Sequence, residues 1–184
     1  KSAGSKGDTL GGKIVVLAQN VPVGLGSHTQ WDLKLDGRLA QSLMSVQAIK
    51  AVEFGSGTKL GSLPGSLSHD EIFYNNKKGF YRNTNRSGGI EGGISNGEPI
   101  EITCTMKAIP SLSKPLRSVN INTKNSEKAE AVRSDVCAVP AAGIVAEAAV
   151  ALELAKAMKE KFGGDSIEDM KENFNSYISR IQVI

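Results

Sequence analysis

The stretch NRSGGIEGGISNG (85–97) holds five glycines among thirteen residues, and its only charges are Arg86 and Glu91. Glycine at that density costs stability unless the chain needs φ > 0 or its main chain must come close to something. A Walker phosphate loop needs G-x-x-x-x-G-K-[ST]; Gly88 and Gly93 have the outer spacing, but Ile94 stands where the lysine belongs. No G-x-G-x-x-G lies between a strand and a helix, which removes the usual dinucleotide fingerprint. Two readings stand: a flexible surface loop, or a main-chain cradle for a ligand.

A second group of reactive types is RSDVCAVP (133–140). Here a cation, a hydroxyl and a carboxylate precede an apolar helical run, and a helix N-terminus attracts anions. Arg133 could hold a phosphate or carboxylate and Asp135 could move a proton, although pattern alone favours a local Arg–Asp pair. Lys107 ends a strand-like run, placed to reach a ligand or, as pattern favours, to extend into water. His28 and His69 are isolated, without partners that would define a triad. Cys104 and Cys137 are far apart, and no Cys/His spacing matches a metal site. Two thiols in a chain of this size suggest a reducing compartment, with a disulfide the alternative.

These residues need elements to hold them. KIVVLAQNVP (13–22) is rich in β-branched residues and reads as a strand. Leu35, Leu39, Leu43, Val46 and Ile49 recur at three and four, predicting a helix that ends near Lys50, with Asp32 or Asp36 as its cap. A short strand, VEF, follows. Residues 55–97 read as an irregular, Gly-rich loop region within a single domain spanning 1–184, with NNKKG as a turn. In EPIEITCTMK, Ile100, Ile102, Cys104 and Met106 alternate with polar residues, predicting a half-buried strand. RSVNINT (117–123) is a second candidate, and the polar KNSEKAEAVR after it reads as exposed. The clearest helix spans 140–164, with Pro140 at its first position and Gly163-Gly164 at its stop. Its Ala-rich first half is apolar almost all round and is expected to be buried; Glu147 within it is either paired or on the one wet edge. Ser166 and Asp169 resemble a capping box opening a last helix that ends near Arg180. Strands and helices interleave without a βαβ rhythm, so the fold class is α+β, an antiparallel sheet packed with helices.

At 184 residues the chain can bury a core. Its net charge of +3 is scattered, with one lysine doublet, Lys77-Lys78, which argues against nucleic acid and suits a small polyanion. No apolar run approaches a membrane span, and KSAGSKGDTLGG has no signal-peptide core. The absence of an initiator Met is read as a start inside a longer product or after a cleavage.

Several stretches together resemble the chorismate synthase family. They are GDTLGG (7–12), GLGSHTQWDLKLDGRLAQSLMSVQAIK (24–50), VEFGSG (52–57), HDEI (69–72), TNRSGGIEGGISNGEPI (84–100), MK (106–107), RSDVCAVPAAG (133–143) and KFGGDS (161–166). The resemblance is to the C-terminal half of the family. The N-terminal half, absent here, brings the two catalytic histidines, and neither His28 nor His69 corresponds to them.

The resemblance implies a lyase that removes phosphate and a proton from 5-enolpyruvylshikimate 3-phosphate by anti-1,4 elimination. The product is chorismate, at the last step of the shikimate pathway toward aromatic amino acids, and reduced FMN is required without net redox change. It implies one half of a β-α-β sandwich, in a cytoplasmic homotetramer. It leaves open whether the intact enzyme reduces its own flavin, with NADPH, or relies on a separate reductase. By resemblance, Gly92 makes a backbone contact to the flavin. Gln47 and Ala48, late in the first helix, touch FMN. Lys107, Ala108, Ile109, Pro110 and Ser111 grip its phosphate and ribityl chain. Arg133 lies between FMN and substrate, and Asp135 aids proton traffic at flavin N5. Ala51 and Ala108 stand where Gly and Pro are common in the family, and TKLGSLPGS (58–66) departs from the usual spacer. The resemblance implies that this half alone is inactive. The alternative class is an FMN- or phosphate-binding module, or an assembly piece, without lyase activity.

Overall fold

The computed structural model describes residues 2–181. The elements run β1 (Gly12–Ala18), α1 (Leu35–Met44), β2 (Ile49–Phe54), α2 (Gly65–Ser68), β3 (Ile72–Asn75), β4 (Gly79–Arg82), β5 (Ile90–Glu91), β6 (Ile94–Ser95), β7 (Ile100–Met106), β8 (Arg117–Val119), β9 (Ser126–Lys128), α3 (Val139–Phe162) and α4 (Ile167–Ile181). The main sheet is antiparallel in the order β1-β7-β2, and three two-stranded ribbons, β3-β4, β5-β6 and β8-β9, stand apart from it. The fold is mixed α+β, as expected.

β7 is the central strand, and its alternation is what the sequence predicts. Ile100, Ile102, Cys104 and Met106 are buried, with Cys104 opposite Ile14 on β1 and Val52 on β2. On that face lie α1, through the fully buried Leu35, Leu39 and Leu43, and α3, through Ala142, Ala146 and Val150. Alanines on α3 let the helix lie close, and removing this apolar surface from water is the main stabilising term. Arg38 on α1 ties the two helices by pairing with Glu153 and Glu160 on α3.

Four expectations need correction. α1 stops at Met44 rather than near Lys50, because Ile49 is already a strand residue opposite Met106 and Ala48 turns the chain at φ 68°. Ile49 is buried, but from the sheet, so its place in the helical stripe is a coincidence of spacing. Neither Asp32 nor Asp36 caps α1: Lys34 occupies the cap without a side-chain bond, and Leu35 N donates instead to Gly93 O at 2.9 Å. The first half of α3 buries one face only; Ile144 and Val145 are exposed, as is Leu152 just beyond, since the sheet and α1 cover a single side of the helix. Glu147 is on the wet side.

Residues 55–97 are more ordered than their composition suggests. The NNKKG turn is the tip of the β3-β4 hairpin, whose cross-strand pairs Tyr74–Phe80 and Phe73–Tyr81 stack at 5.0 and 5.8 Å. The 117–123 candidate shortens to β8, which pairs with β9 inside the polar stretch KNSEKAEAVR, and β9 is exposed as expected. The capping box forms as predicted: Asp169 N donates to Ser166 Oγ, and Ser166 N to Asp169 Oδ2. These bonds hold the Asp169 carboxyl below its ordinary range. Cys104 is buried, Cys137 is exposed, and both are free.

Candidate functional site

Two groups of expected residues assemble at the Met106 end of β7. The carbonyl of Ala48 accepts from Lys107 N at 2.9 Å, which fixes the turn after α1 against the strand end. The run from Lys107 to Ser111 then crosses the N-terminal segment, where Thr9 Oγ1 donates to Ile109 O at 2.6 Å. Ser134 Oγ donates to Ser111 O, and Leu10 N to Val136 O at 2.7 Å, so the 133–136 segment lies on the same strands of chain. Gln47, Lys107, Arg133 and Asp135 are all exposed. The local Arg133–Asp135 ion pair does not form among the described residues. α3 begins immediately after, at Val139, with no side-chain cap. Pro140 has no N–H, so the dipole and the N–H groups of Val139 and Ala141 are what this helix start offers an anion.

Gly92 lies elsewhere. Glu101, at the opposite end of β7, donates its N–H to Gly88 O, and Gly92 lies four residues beyond Gly88. From Glu101 to Lys107 the strand runs about 20 Å at ordinary strand rise. Hydrogen bonds tie Ala48, Lys107–Ser111 and Ser134 to one another, and none of those described ties Gly92 directly to them.

The glycines of the loop answer to the protein itself more than to a ligand. Gly92 and Gly93 are the two residues between β5 and β6, at φ 61° and 84°, the backbone that a primed hairpin turn demands. A Cβ on Gly88 would sit 2.3 Å from Gly55 N, so two main chains cross there. Gly93 presses on Lys34 while its carbonyl caps α1. Only Gly92 of the group 88–93 points its missing side chain into open space, which suits an approach by a flat ligand.

Buried polar residues that sequence reading passed over hold this loop. Ser95 is 1% exposed; its hydroxyl donates to Pro22 O at 2.6 Å and accepts from Leu25 N at 2.8 Å. Asp70 is also buried, and accepts from Thr84, Arg86 and Ser87. Burial alone would raise its pKa, but those bonds outweigh it and bring the carboxyl down to about 2. Asp70, Ser87, Glu91 and Gly92 border one cleft of about 430 Å³, together with His69 and Leu60. No local motif signals either residue, since their partners lie 14 to 17 positions away for Asp70 and 70 or more for Ser95. His28 and His69 are exposed loop residues, and no group of three or more potential metal ligands occurs among the described residues.

The family model for chorismate synthase matches residues 1–159. The chain belongs to the chorismate synthase family. A chorismate synthase of Endomicrobium trichonymphae is 74% identical over 184 residues, covering 100% of this chain and 48% of that protein. One from Thermoanaerobacter pseudethanolicus is 60% identical over 96% of this chain and 50% of its own length. A solved structure described as a crystal structure of chorismate synthase superposes with a TM-score of 0.84 at 43% identity, over 100% of this chain and 47% of the other. The chain thus spans about half the length of the chorismate synthases it matches.

Proposed function

We propose that the chain is the C-terminal half of a chorismate synthase and carries part of its reduced-FMN site. The observation that supports this best is the convergence of Ala48, Lys107–Ser111 and Arg133–Asp135, with the uncapped start of α3, at one end of the sheet. These residues suit a phosphorylated flavin. Lys107 and Arg133 supply exposed cations, the helix start supplies free N–H groups, and the main chain from Lys107 is already anchored at Ala48. In this reading Lys107 through Ser111 hold the phosphate and ribityl chain, Gln47 and Ala48 line the same group, and Gly92 offers open main chain to the ring. Reduced FMN, when bound, supplies the transient electron density that lets phosphate leave 5-enolpyruvylshikimate 3-phosphate. Arg133 balances anionic charge between cofactor and substrate, as such an elimination requires. Asp135, which is in no ion pair among the described residues, is the carboxylate assigned to proton traffic in this reading.

The exposed apolar side of α3, with Ile144, Val145 and Leu152, is then the face that the missing N-terminal half covers, completing a β-α-β sandwich. The reading extends to a cytoplasmic homotetramer in the intact enzyme, whose flavin is kept reduced by NADPH directly or through a reductase. No helix among the described residues is long and apolar enough to cross a membrane.

Titration of the chain with FMN, followed by flavin fluorescence, tests the subsite. Saturable quenching that Arg133→Ala weakens is the expected result. Quenching indifferent to both Arg133→Ala and Lys107→Ala would remove the assignment.

A further inference from the structure

We propose that Asp70 is a positioning residue of the cofactor site, its carboxylate setting the path of the glycine-rich loop that presents Gly92. The proposal rests on the flavin reading above.

Each oxygen of this buried carboxylate takes two bonds. Oδ1 accepts from Thr84 Oγ1 and from Arg86 N at 2.9 Å; Oδ2 accepts from Ser87 N at 2.9 Å and Ser87 Oγ at 3.0 Å. The adjoining carbonyl of His69 takes Arg86 Nη1 at 2.9 Å, so residues 69 and 70 grip one turn together. The chain then passes to Gly88, whose carbonyl is fixed by Glu101 N, and on to the Gly92–Gly93 turn. Ser95 fixes the far side. Between these anchors Ile90 is buried in the core, and Glu91 pairs with Arg82 and accepts from Asn96 Nδ2, so Asp70 sets the entry to a turn that these side chains hold further on.

No ion pair to Asp70 exists among the described residues; all four of its bonds come from uncharged donors. A buried carboxylate is a costly way to fill space. What it supplies that an apolar side chain cannot is direction, because two consecutive main-chain N–H groups must point at two fixed oxygens. The same side chain borders the cleft that Gly92 borders. Asp70 touches no reacting atom in this account; it acts through the loop.

Asp70→Asn is the test. Whichever way the amide turns, two of the four donors face an NH₂ group in place of an acceptor. The expected result is exchange at the Arg86 and Ser87 amides faster by about tenfold or more, with β7 amides still protected. FMN affinity should fall by about tenfold at a temperature where the variant is folded. Cys104→Ala, a core change in β7, lowers the Tm but leaves both loop exchange and FMN affinity at the wild-type value, which separates positioning from general destabilisation. Unchanged FMN affinity in Asp70→Asn, with Arg133→Ala still weakened, would overturn the proposal and leave the flavin reading standing. If the wild-type chain binds no FMN, the flavin reading fails here and exchange alone decides: retained protection at Arg86 and Ser87 refutes the hold on the loop, and lost protection sustains it.

Discussion

Asp70 shows how much one side chain can carry. Its carboxyl sits at about 2 in the folded chain against an ordinary 3.8. A depressed pKa contributes stability above the unfolded value, and that contribution fades as pH falls through the folded one. At neutral pH the difference corresponds to something on the order of 2 kcal/mol. Asp70→Asn should therefore be less stable than wild type at pH 7, and denaturant midpoints should converge as pH drops from about 4 toward about 2. A gap that stays constant over that window would contradict the assignment. The glycines make a second residue-scale prediction. Gly92→Ala meets open space and carries only its left-handed backbone cost, about 1 kcal/mol. Gly88→Ala drives a Cβ into the Gly55 main chain and should cost several times as much, a ranking that urea melts of the two variants would check.

At the scale of elements, periodicity made much of the structure legible. β7 reads as a strand because its four buried residues alternate, and α4 begins at its capping box because Ser166 and Asp169 have the right spacing. Ser166→Ala should cost about 1 kcal/mol and fray the first turn of α4, seen as a loss of helical ellipticity or faster exchange there. Legibility ended where partners are distant. The end of α1 is set by Ile49 pairing with Met106 and its start by Gly93 O, and neither partner is within the helix's own sequence. β9 hides in polar composition, while its partner β8 falls within the strand candidate at 117–123. The aromatic runs IFYN and GFYR of β3 and β4 flank the turn read at NNKKG, but lie in a region read as irregular. The site was readable in part for the same reason. Lys107, Arg133 and Asp135 lie in motifs that carry the family resemblance, and so do Asp70 in HDEI and Ser95 in GGISNG, but what Ser95 and Asp70 hold is set by bonds to chain far from them. α3 gives a further test. Ile144→Glu lies on its exposed side, so the chain's own stability should change by no more than about 0.5 kcal/mol. Its assembly with the missing half, measured by pull-down or light scattering, should be lost.

For the whole molecule, one sheet face is covered by two helices, and the larger of those helices is left half uncovered. This chain spans about half the length of the related chorismate synthases. What remains is an anion-receptive cluster at one end of the sheet and a glycine hairpin held by buried polar groups near the other. In the proposed function this chain is the flavin-binding half of a chorismate synthase. The most direct measurement is chorismate formation from 5-enolpyruvylshikimate 3-phosphate under anaerobic conditions with reduced FMN, by the chain alone and by the chain rejoined to an N-terminal half from a related chorismate synthase. The account predicts no product from the chain alone, product from the rejoined protein, and its loss on Asp135→Ala. Product from the chain alone, or none from a folded rejoined protein that binds FMN, would contradict it.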